Sequence, residues 1–272
     1  MIVIKNTDIN LKDTITCGQI FRYTEEKDNS YTVILSDRVV NLKKENNDLI
    51  VLSNKEENLK KVIEDYLDLN RDYNKLNDEI LKKDDSLKDI INSCKGLKMI
   101  HQPKFECSIS YILSQNNRVP QIAKALNNIS EKYGEKVEFN NNTYYLFPSI
   151  DKLKDATIED FRNLKTGFRD KYLYNFIHEN IDLESIDKMN TEDALKYLIS
   201  IKGIGEKVAS CILIFAYSRF DVFPIDTWVK KFMREKYNLE SIKDIRDYTK
   251  DKYNQYCGLV IQYIFNYKRN KD

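Results

Sequence analysis

Residues 201–207 read Ile-Lys-Gly-Ile-Gly-Glu-Lys, and they lie between two segments with helical spacing of apolar residues. Glycines at positions 203 and 205 permit backbone angles that other residues avoid, and they allow a ligand to approach the chain closely. The second helix is predicted to begin near Gly205, so that its first N–H groups and its dipole face the turn. The pattern predicts a helix–hairpin–helix over about residues 196–217 that holds a phosphate group.

Two residues near this turn carry chemically useful side chains. Lys207 lies in the first turn of the second helix, and Asp226 follows Pro224 in the sequence Phe-Pro-Ile-Asp-Thr-Trp. A lysine that pairs with a phosphate and an aspartate that caps the helix from Thr227 would explain each residue separately. Their combination with the hairpin favours an enzyme in which the amine attacks a sugar carbon of DNA and the carboxylate stabilises positive charge.

The composition is that of a globular protein. The 272 residues are 42% hydrophobic and 32% charged. The first residues lack the apolar core of a signal peptide, and no apolar run is long enough to span a bilayer. We therefore expect no membrane association and a cytoplasmic protein, associated with the nucleoid if it is bacterial.

Cysteine spacing and charge narrow the classes further. The five cysteines are widely spaced and form no CxxC pair, which argues against a disulfide framework, a zinc site or an iron–sulfur cluster, and we expect no cofactor. The net charge is only +1, but residues 201–272 contain 14 Lys and Arg against 9 Asp and Glu. This local excess is compatible with a phosphate footprint and also with an ordinary solvated face.

The order of elements predicts an α+β protein. Short β-prone runs at 31–36, 38–42 and 49–53 are separated by polar breaks and favour an antiparallel meander. From about residue 104 the chain reads as successive helices, and Thr157 is a predicted N-cap. Further helices are predicted over residues 169–180, 191–201, 206–217, 226–236 and 254–268. We expect a small antiparallel β domain with helices over residues 1–95, followed by a mainly helical domain over residues 96–272.

Four segments together resemble the helix–hairpin–helix DNA glycosylase superfamily, and more narrowly the 8-oxoguanine DNA glycosylases. The hairpin followed by Pro-Ile-Asp matches the superfamily. Residues 17–23, Cys-Gly-Gln-Ile-Phe-Arg-Tyr, resemble the GQxFRW segment of the narrower family, and residues 114–117, Ser-Gln-Asn-Asn, resemble its SxNN segment. Residues 166–172, Thr-Gly-Phe-Arg-Asp-Lys-Tyr, resemble GYRxxY. These segments occur in family order across nearly the whole chain.

The resemblance implies a role for each matching residue. Lys207 would attack C1′ of the damaged nucleotide, expel the base and form a Schiff base, after which β-elimination would nick the strand. Asp226 would stabilise the positive charge that develops on the sugar. Gly18 would accept a hydrogen bond from N7–H of 8-oxoguanine, where normal guanine carries a lone pair. Cys211 and Phe265 match positions that sandwich the flipped base, although both are also explained as helix core.

The remaining implied residues contact DNA. Asn116 matches a residue that fills the gap left by the flipped nucleotide, and Phe168 matches a wedge into the duplex, although a core aromatic is a serious rival interpretation. Arg169 lies beside this wedge. The hairpin contributes further predicted DNA contacts: Gly203, Gly205 and Val208. The implied partner is double-stranded DNA containing 8-oxoguanine, bound by a monomer.

Three departures from the family pattern bear on specificity. Gln121 stands where animal members carry an arginine that reads the opposite cytosine, and Trp228 replaces a phosphate-contacting histidine. Ile261 occupies the expected position of a pocket glutamine, which neighbouring Gln262 can replace. These changes leave the implied chemistry intact and predict a relaxed choice of the base opposite the lesion.

Two alternatives remain open from the sequence. One is a helix–hairpin–helix glycosylase for another damaged base, against which the absence of a C-terminal cysteine cluster and the presence of Lys207 argue. The other is a non-catalytic DNA-binding module that uses the hairpin alone. The pairing of Lys207 with Asp226 argues against that module.

Overall fold

The computed structural model describes residues 1–179 and 181–271. The strands, in chain order, are β1 (Ile2–Ile4), β2 (Tyr23–Glu25), β3 (Tyr31–Ile34), β4 (Val39–Glu45), β5 (Asp48–Ser53), β6 (Lys136–Phe139) and β7 (Asn142–Tyr145). The helices of the first half are α1 (Leu11–Thr16), α2 (Leu59–Tyr66), α3 (Tyr73–Lys83), α4 (Lys88–Ser93), α5 (Lys104–Ser114), α6 (Val119–Tyr133) and α7 (Ile150–Leu153). Those of the second half are α8 (Ile158–Asn163), α9 (Asp170–His178), α10 (Thr191–Ser200), α11 (Glu206–Tyr217), α12 (Thr227–Tyr237), α13 (Ile242–Tyr253) and α14 (Cys257–Arg269).

An N-terminal antiparallel sheet followed by helices confirms the predicted α+β class. The five strands β1 to β5 lie in the order β1-β5-β4-β3-β2, and every neighbouring pair is antiparallel. The predicted meander corresponds to β3, β4 and β5. Strands β1 and β2 have only three residues each, which is too short for the alternation of apolar and polar residues to identify them.

The chain forms two compact units, each assembled from two separate segments. The first comprises residues 1–70 and 96–184, and the second comprises residues 71–95 and 185–272. The predicted boundary between residues 95 and 96 coincides with one of the three points where the chain passes from one unit to the other. The division into domains 1–95 and 96–272 stays a prediction, and α3 and α4 join the C-terminal helices in the second unit.

The core of the first unit covers one face of the five-stranded sheet. Leu42, Leu49 and Val51 are fully buried there against the buried side chains of α2, among them Ile63. The β6–β7 hairpin places Phe139 in a second apolar cluster of the same unit. Burial of these branched and aromatic side chains is the main favourable contribution to folding.

Helix ends agree closely with the predicted signals. Thr157 caps α8 in a capping box with Asp160, each residue's side chain accepting a hydrogen bond from the other's backbone N–H. The helix predicted over 169–180 is observed as α9, and its last predicted residue lies outside the described residues. Helix α13 was not predicted, because its charged sequence shows only a few apolar residues at helical spacing. Among the described residues, no helix is long and apolar enough to cross a membrane.

Candidate active site

The helix–hairpin–helix is formed by α10, a five-residue turn and α11 in the second unit. Ile201 and Ile204 are 5% and 3% exposed and anchor the turn in the core between the two helices. Between them, Gly203 adopts a φ of +96°, a conformation that L side chains rarely adopt. Gly205 is exposed and extended, and it is the residue from which α11 begins. The apolar anchors thus hold the glycine turn at the surface.

The N-terminus of α11 is prepared for a negatively charged ligand. Among the described residues, no side chain caps this helix. In the same unit α10, α12 and α13 begin with a side-chain cap, whereas α4 and α14 lack one and continue directly from a 3₁₀ turn. Glu206, the first residue of α11, is paired with Arg246 of α13 at 2.5 Å, which neutralises a carboxylate that would otherwise repel an anion. Uncapped N–H groups and the helix dipole together favour binding of a phosphate.

Lys207 is the second residue of α11 and is half-buried. Its side chain hydrogen-bonds the thiol of Cys211, which lies one helical turn further along. Burial raises the pKa of the Cys211 thiol above its ordinary value, and the positive charge of Lys207 opposes that rise. Val208, a predicted DNA contact, is 3% exposed, so its side chain faces the core and only its backbone is available to DNA.

Asp226 caps α12, as predicted. Its Oδ1 accepts a hydrogen bond from the backbone N–H of Val229 at 2.8 Å. The carboxylate also acts electrostatically on the Cys211 thiol, contributing to the rise of the Cys211 pKa. An amine and a carboxylate on two different helices therefore both act on the same thiol. Lys207 and Asp226, 19 residues apart in the sequence, lie at the N-termini of α11 and α12.

The predicted base-binding residues of α14 differ in their exposure. Gln262 and Ile261 are both 6% exposed, so both belong to the packed interior of the second unit. Phe265 is 38% exposed, and its ring meets that of Trp228 edge to face with centroids 5.7 Å apart. Trp228 follows Asp226 by two residues, so this contact places Phe265 close to the N-terminus of α12.

Gly18, in the first unit, lies in a turn after α1 with a φ of +83°. The following residue, Gln19, is fully buried and holds this turn through its side-chain amide. Gln19 Nε2 donates to the carbonyl of Lys98 at 2.8 Å, and Gln19 Oε1 accepts from the N–H of Ile100 at 2.8 Å. The backbone around Gly18 is therefore held in one conformation rather than left as an ordinary surface turn.

Arg22 was visible in the sequence only as one letter of the 17–23 motif, and its contacts show why that motif matters. Its guanidinium is 3% exposed and pairs with Glu106 at 3.0 Å, while Nε donates to Asn127 at 3.2 Å and the second terminal nitrogen donates to the carbonyl of Tyr145. Burial raises the pKa of Glu106, and Arg22 counteracts that rise. An arginine next to Ile20 and Phe21 could have indicated a buried cation, although not the partner that it reaches.

The loop after α5 carries Asn116, which is exposed and has a φ of +48°. Arg169 holds this loop. Its guanidinium donates to the carbonyl of Gln115 at 2.8 Å, to that of Asn116 at 2.9 Å and to that of Thr166 at 3.2 Å. Arg169 is only 6% exposed, and desolvation lowers its pKa. The geometry favours support of the loop over the direct DNA contact predicted for Arg169.

Phe168 is 56% exposed, which is at odds with the rival interpretation of this residue as a core aromatic. The Arg169 guanidinium lies 4.3 Å from the centroid of its ring, and Tyr172 meets the ring edge to face at 6.3 Å. These contacts hold a large apolar side chain outside the core. Gln121 is also exposed, in the first turn of α6.

Comparisons with known proteins indicate the family of this chain. Residues 1–107 match the family described as 8-oxoguanine DNA glycosylase, N-terminal domain. The crystal structure of the apo-form of Clostridium acetobutylicum 8-oxoguanine glycosylase/lyase superimposes with a TM-score of 0.93 at 37% identity, covering 97% of this chain and 95% of that chain. The same enzyme in complex with double-stranded DNA that has cytosine opposite 8-oxoG gives a TM-score of 0.93 at 37% identity, with 99% and 95% covered.

A curated relative is the probable N-glycosylase/DNA lyase of Methanothermobacter thermautotrophicus, 27% identical over 69% of this chain and 68% of its own length. It is more distant than the clostridial enzyme, whose identity of 37% extends over nearly the whole of both chains. The first 107 residues match the family's N-terminal domain, and Lys207 and Asp226 lie at the N-termini of α11 and α12. The chain belongs to the 8-oxoguanine DNA glycosylase/lyase family.

Proposed function

We propose that this protein flips 8-oxoguanine out of duplex DNA, excises it and nicks the strand through a Schiff base on Lys207. The proposal is supported by the interactions of Lys207, in the first turn of the uncapped hairpin helix, and of Asp226, the cap of α12, with the thiol of Cys211. An amine beside a phosphate-binding turn is positioned for a sugar carbon, and a carboxylate next to it can stabilise a developing cation.

The chemistry balances with these two residues. The lone pair of the Lys207 amine forms a bond to C1′, and the C1′–N9 bond breaks with its electron pair moving to the departing base. The proton that the alkylated amine then loses goes to that base. Asp226 Oδ1 is engaged by the N–H of Val229, so the carboxylate is held in place and its charge faces the developing oxocarbenium ion. Opening of the sugar ring gives the Schiff base, and β-elimination then breaks the strand on the 3′ side.

The hairpin is assigned to bind the phosphate backbone of DNA. Gly203 makes the turn, and Gly205 has no heavy atom within 4 Å of the position that a Cβ would occupy. A phosphate can therefore approach the N–H groups of α11 without a steric barrier. The ion pair with Arg246 offsets the negative charge of Glu206, which would otherwise repel the phosphate.

Recognition of the lesion is assigned to one backbone carbonyl and to the side chains that were predicted to contact the base. The carbonyl of Gly18 accepts from N7–H of 8-oxoguanine, and the turn held by Gln19 keeps that carbonyl in one orientation. Cys211, Phe265 and Gln262 are assigned to the pocket for the extruded base. Burial of Cys211 and partial exposure of Phe265 are compatible with these roles.

Residues of the first unit are assigned to offset the free energy that is lost when the base is flipped out. Exposed Phe168 inserts beside the lesion and Asn116 fills the vacated space, which offsets the few kcal/mol lost on unstacking. Arg169 acts by holding the Asn116 loop. Gln121 faces the opposite base with a neutral amide, which donates and accepts, so the choice of that base is relaxed. Action as a monomer and the cellular compartment remain predictions from sequence.

Covalent trapping tests the proposal. Borohydride reduces a Schiff base and links the wild-type enzyme to a duplex that contains 8-oxoguanine, whereas Lys207→Gln gives no adduct and releases base roughly 10³-fold more slowly or worse. The matched control is Lys202→Gln, which removes the same charge from an exposed residue of the same hairpin and keeps trapping at saturating DNA. Normal base release by Lys207→Gln would disprove the assignment of the nucleophile.

A further inference from the structure

Helix α12 has two chemically distinct faces. Val229, Phe232 and Met233 are buried and hold the helix in the second unit. The opposite face carries Thr227, Lys230, Lys231 and Arg234. Each of the two adjacent lysines is three or four residues from both Thr227 and Arg234, so the four side chains form one row. This row lines a groove of about 470 Å³ together with Glu240. We call these five residues the α12 groove.

The charges of the α12 groove are unevenly compensated. Lys231 pairs with Glu235 at 3.9 Å, so its charge is partly used within the helix. The side chains of Lys230 and Arg234 have no ion-pair or hydrogen-bond partner within residues 1–179 and 181–271. Glu240 contributes one negative charge, which leaves the groove cationic. The groove is thus locally cationic although the net charge of the chain is only +1.

The position of the groove indicates what binds there. Thr227 directly follows Asp226, so the row begins at the proposed active site and extends about 10 Å along the helix to Arg234. Lys230 and Arg234 are separated by one turn, about 6 Å. Two cations at that separation suit successive negative charges of a polyanion that continues from the active site.

We propose that the α12 groove is a second backbone-binding surface, in which Lys230 and Arg234 contact phosphates of the duplex outside the damaged nucleotide. This inference rests on the proposed function, since it takes duplex DNA as the partner. Lysine and arginine at such a surface contribute affinity and orientation without sequence specificity. The groove thereby adds phosphate contacts to those proposed for the hairpin.

The test compares the double variant Lys230→Gln/Arg234→Gln with wild type on a duplex that carries one 8-oxoguanine. The dependence of log Kd on log salt becomes shallower by about 1.8, since each lost phosphate contact removes about 0.9. The Kd at moderate salt rises by about 3- to 30-fold. Base release in single turnover at saturating DNA is unchanged, because neither residue touches the reacting atoms.

A matched control and a modified substrate separate a docking surface from a general change in charge. Lys82→Gln/Lys83→Gln removes the same charge from exposed residues in the last turn of α3 and leaves the slope unchanged. Single methylphosphonate substitutions, which neutralise one phosphate at a time, weaken wild-type binding at one or two positions to which the α12 variant is indifferent.

Two results would overturn the inference: an α12 variant with the salt slope of wild type, or a control variant that lowers the slope equally. Neither result would affect the proposed function, which is tested separately by base release, by the borohydride adduct and by the dependence of both on Lys207. The two proposals are therefore tested independently with the same duplex.

Discussion

Replacement of Gly205 by alanine should weaken phosphate binding at the hairpin without destabilising the hairpin itself. Gly205 has a φ of −90° and a ψ of 173°, which every L residue adopts readily. An added Cβ would meet no heavy atom within 4 Å. The methyl group would occupy only the space through which we propose that DNA approaches the N-terminus of α11.

The expected effect on folding is small. Alanine is a poorer N-cap than glycine by roughly 0.5–1 kcal/mol. The reduced freedom of the unfolded chain returns about 0.4–1 kcal/mol. The net change in the free energy of unfolding is therefore within about 0.5 kcal/mol, and the melting temperature shifts by roughly 2 °C or less.

The expected effect on DNA binding is large. A phosphate displaced by the methyl group loses at least one hydrogen bond between a backbone N–H and a charged oxygen, which is worth roughly 1.5–3 kcal/mol. The Kd rises by about 10- to 150-fold. The slope of log Kd against log salt falls by about 0.9, because one phosphate contact is lost.

Fluorescence anisotropy with a duplex containing one 8-oxoguanine measures this change, in a Lys207→Gln background so that no turnover occurs. Gly203→Ala is the comparison, since its φ of +96° makes alanine strained by roughly 1–3 kcal/mol. That variant loses thermal stability together with affinity, whereas Gly205→Ala loses affinity alone. A Gly205→Ala protein with unchanged Kd would refute the close approach of a phosphate.

Three further predictions follow from individual contacts. Asp226→Asn keeps the cap on α12, because an amide oxygen also accepts from a backbone N–H, so stability stays within about 0.5 kcal/mol while base release slows by roughly 10²–10³-fold; Asp226→Ala, measured in parallel, loses about 1 kcal/mol as well. Arg22→Met leaves the Glu106 carboxylate buried without its partner and destabilises the protein by about 3 kcal/mol at neutral pH. Burial already raises the pKa of Glu106, so the folded state loses stability as pH rises through that raised pKa and the carboxyl group ionises. The loss of stability caused by Arg22→Met, measured by urea unfolding, should therefore be smaller under acidic conditions, where the carboxyl group is protonated. Equal losses under acidic and neutral conditions would contradict this. Gln121→Arg should sharpen preference for cytosine by about 1–3 kcal/mol, seen as a wider spread of single-turnover rates over four duplexes that differ only in the base opposite the lesion.

The sequence by itself determined the parts of this protein that depend on local backbone chemistry. The glycines at 203 and 205, the apolar Ile204 between them and the helical spacing on either side specify the hairpin through neighbouring dihedral angles. Asp226 and Thr157 were recognised as caps because a cap needs only the first turn that follows it. The resemblance of four short segments then led from this local pattern to the family.

The tertiary structure alone decided what depends on contacts between distant segments. Nothing in residues 17–23 shows that Arg22 pairs with Glu106, 84 positions away. Nothing in residues 166–172 shows that the guanidinium of Arg169 donates hydrogen bonds to the carbonyls of the Asn116 loop. The membership of α3 and α4 in the second unit is likewise invisible in the sequence. Side-chain burial and long-range hydrogen bonds are set by packing, and the spacing of residues along the chain carries no record of which segments pack together.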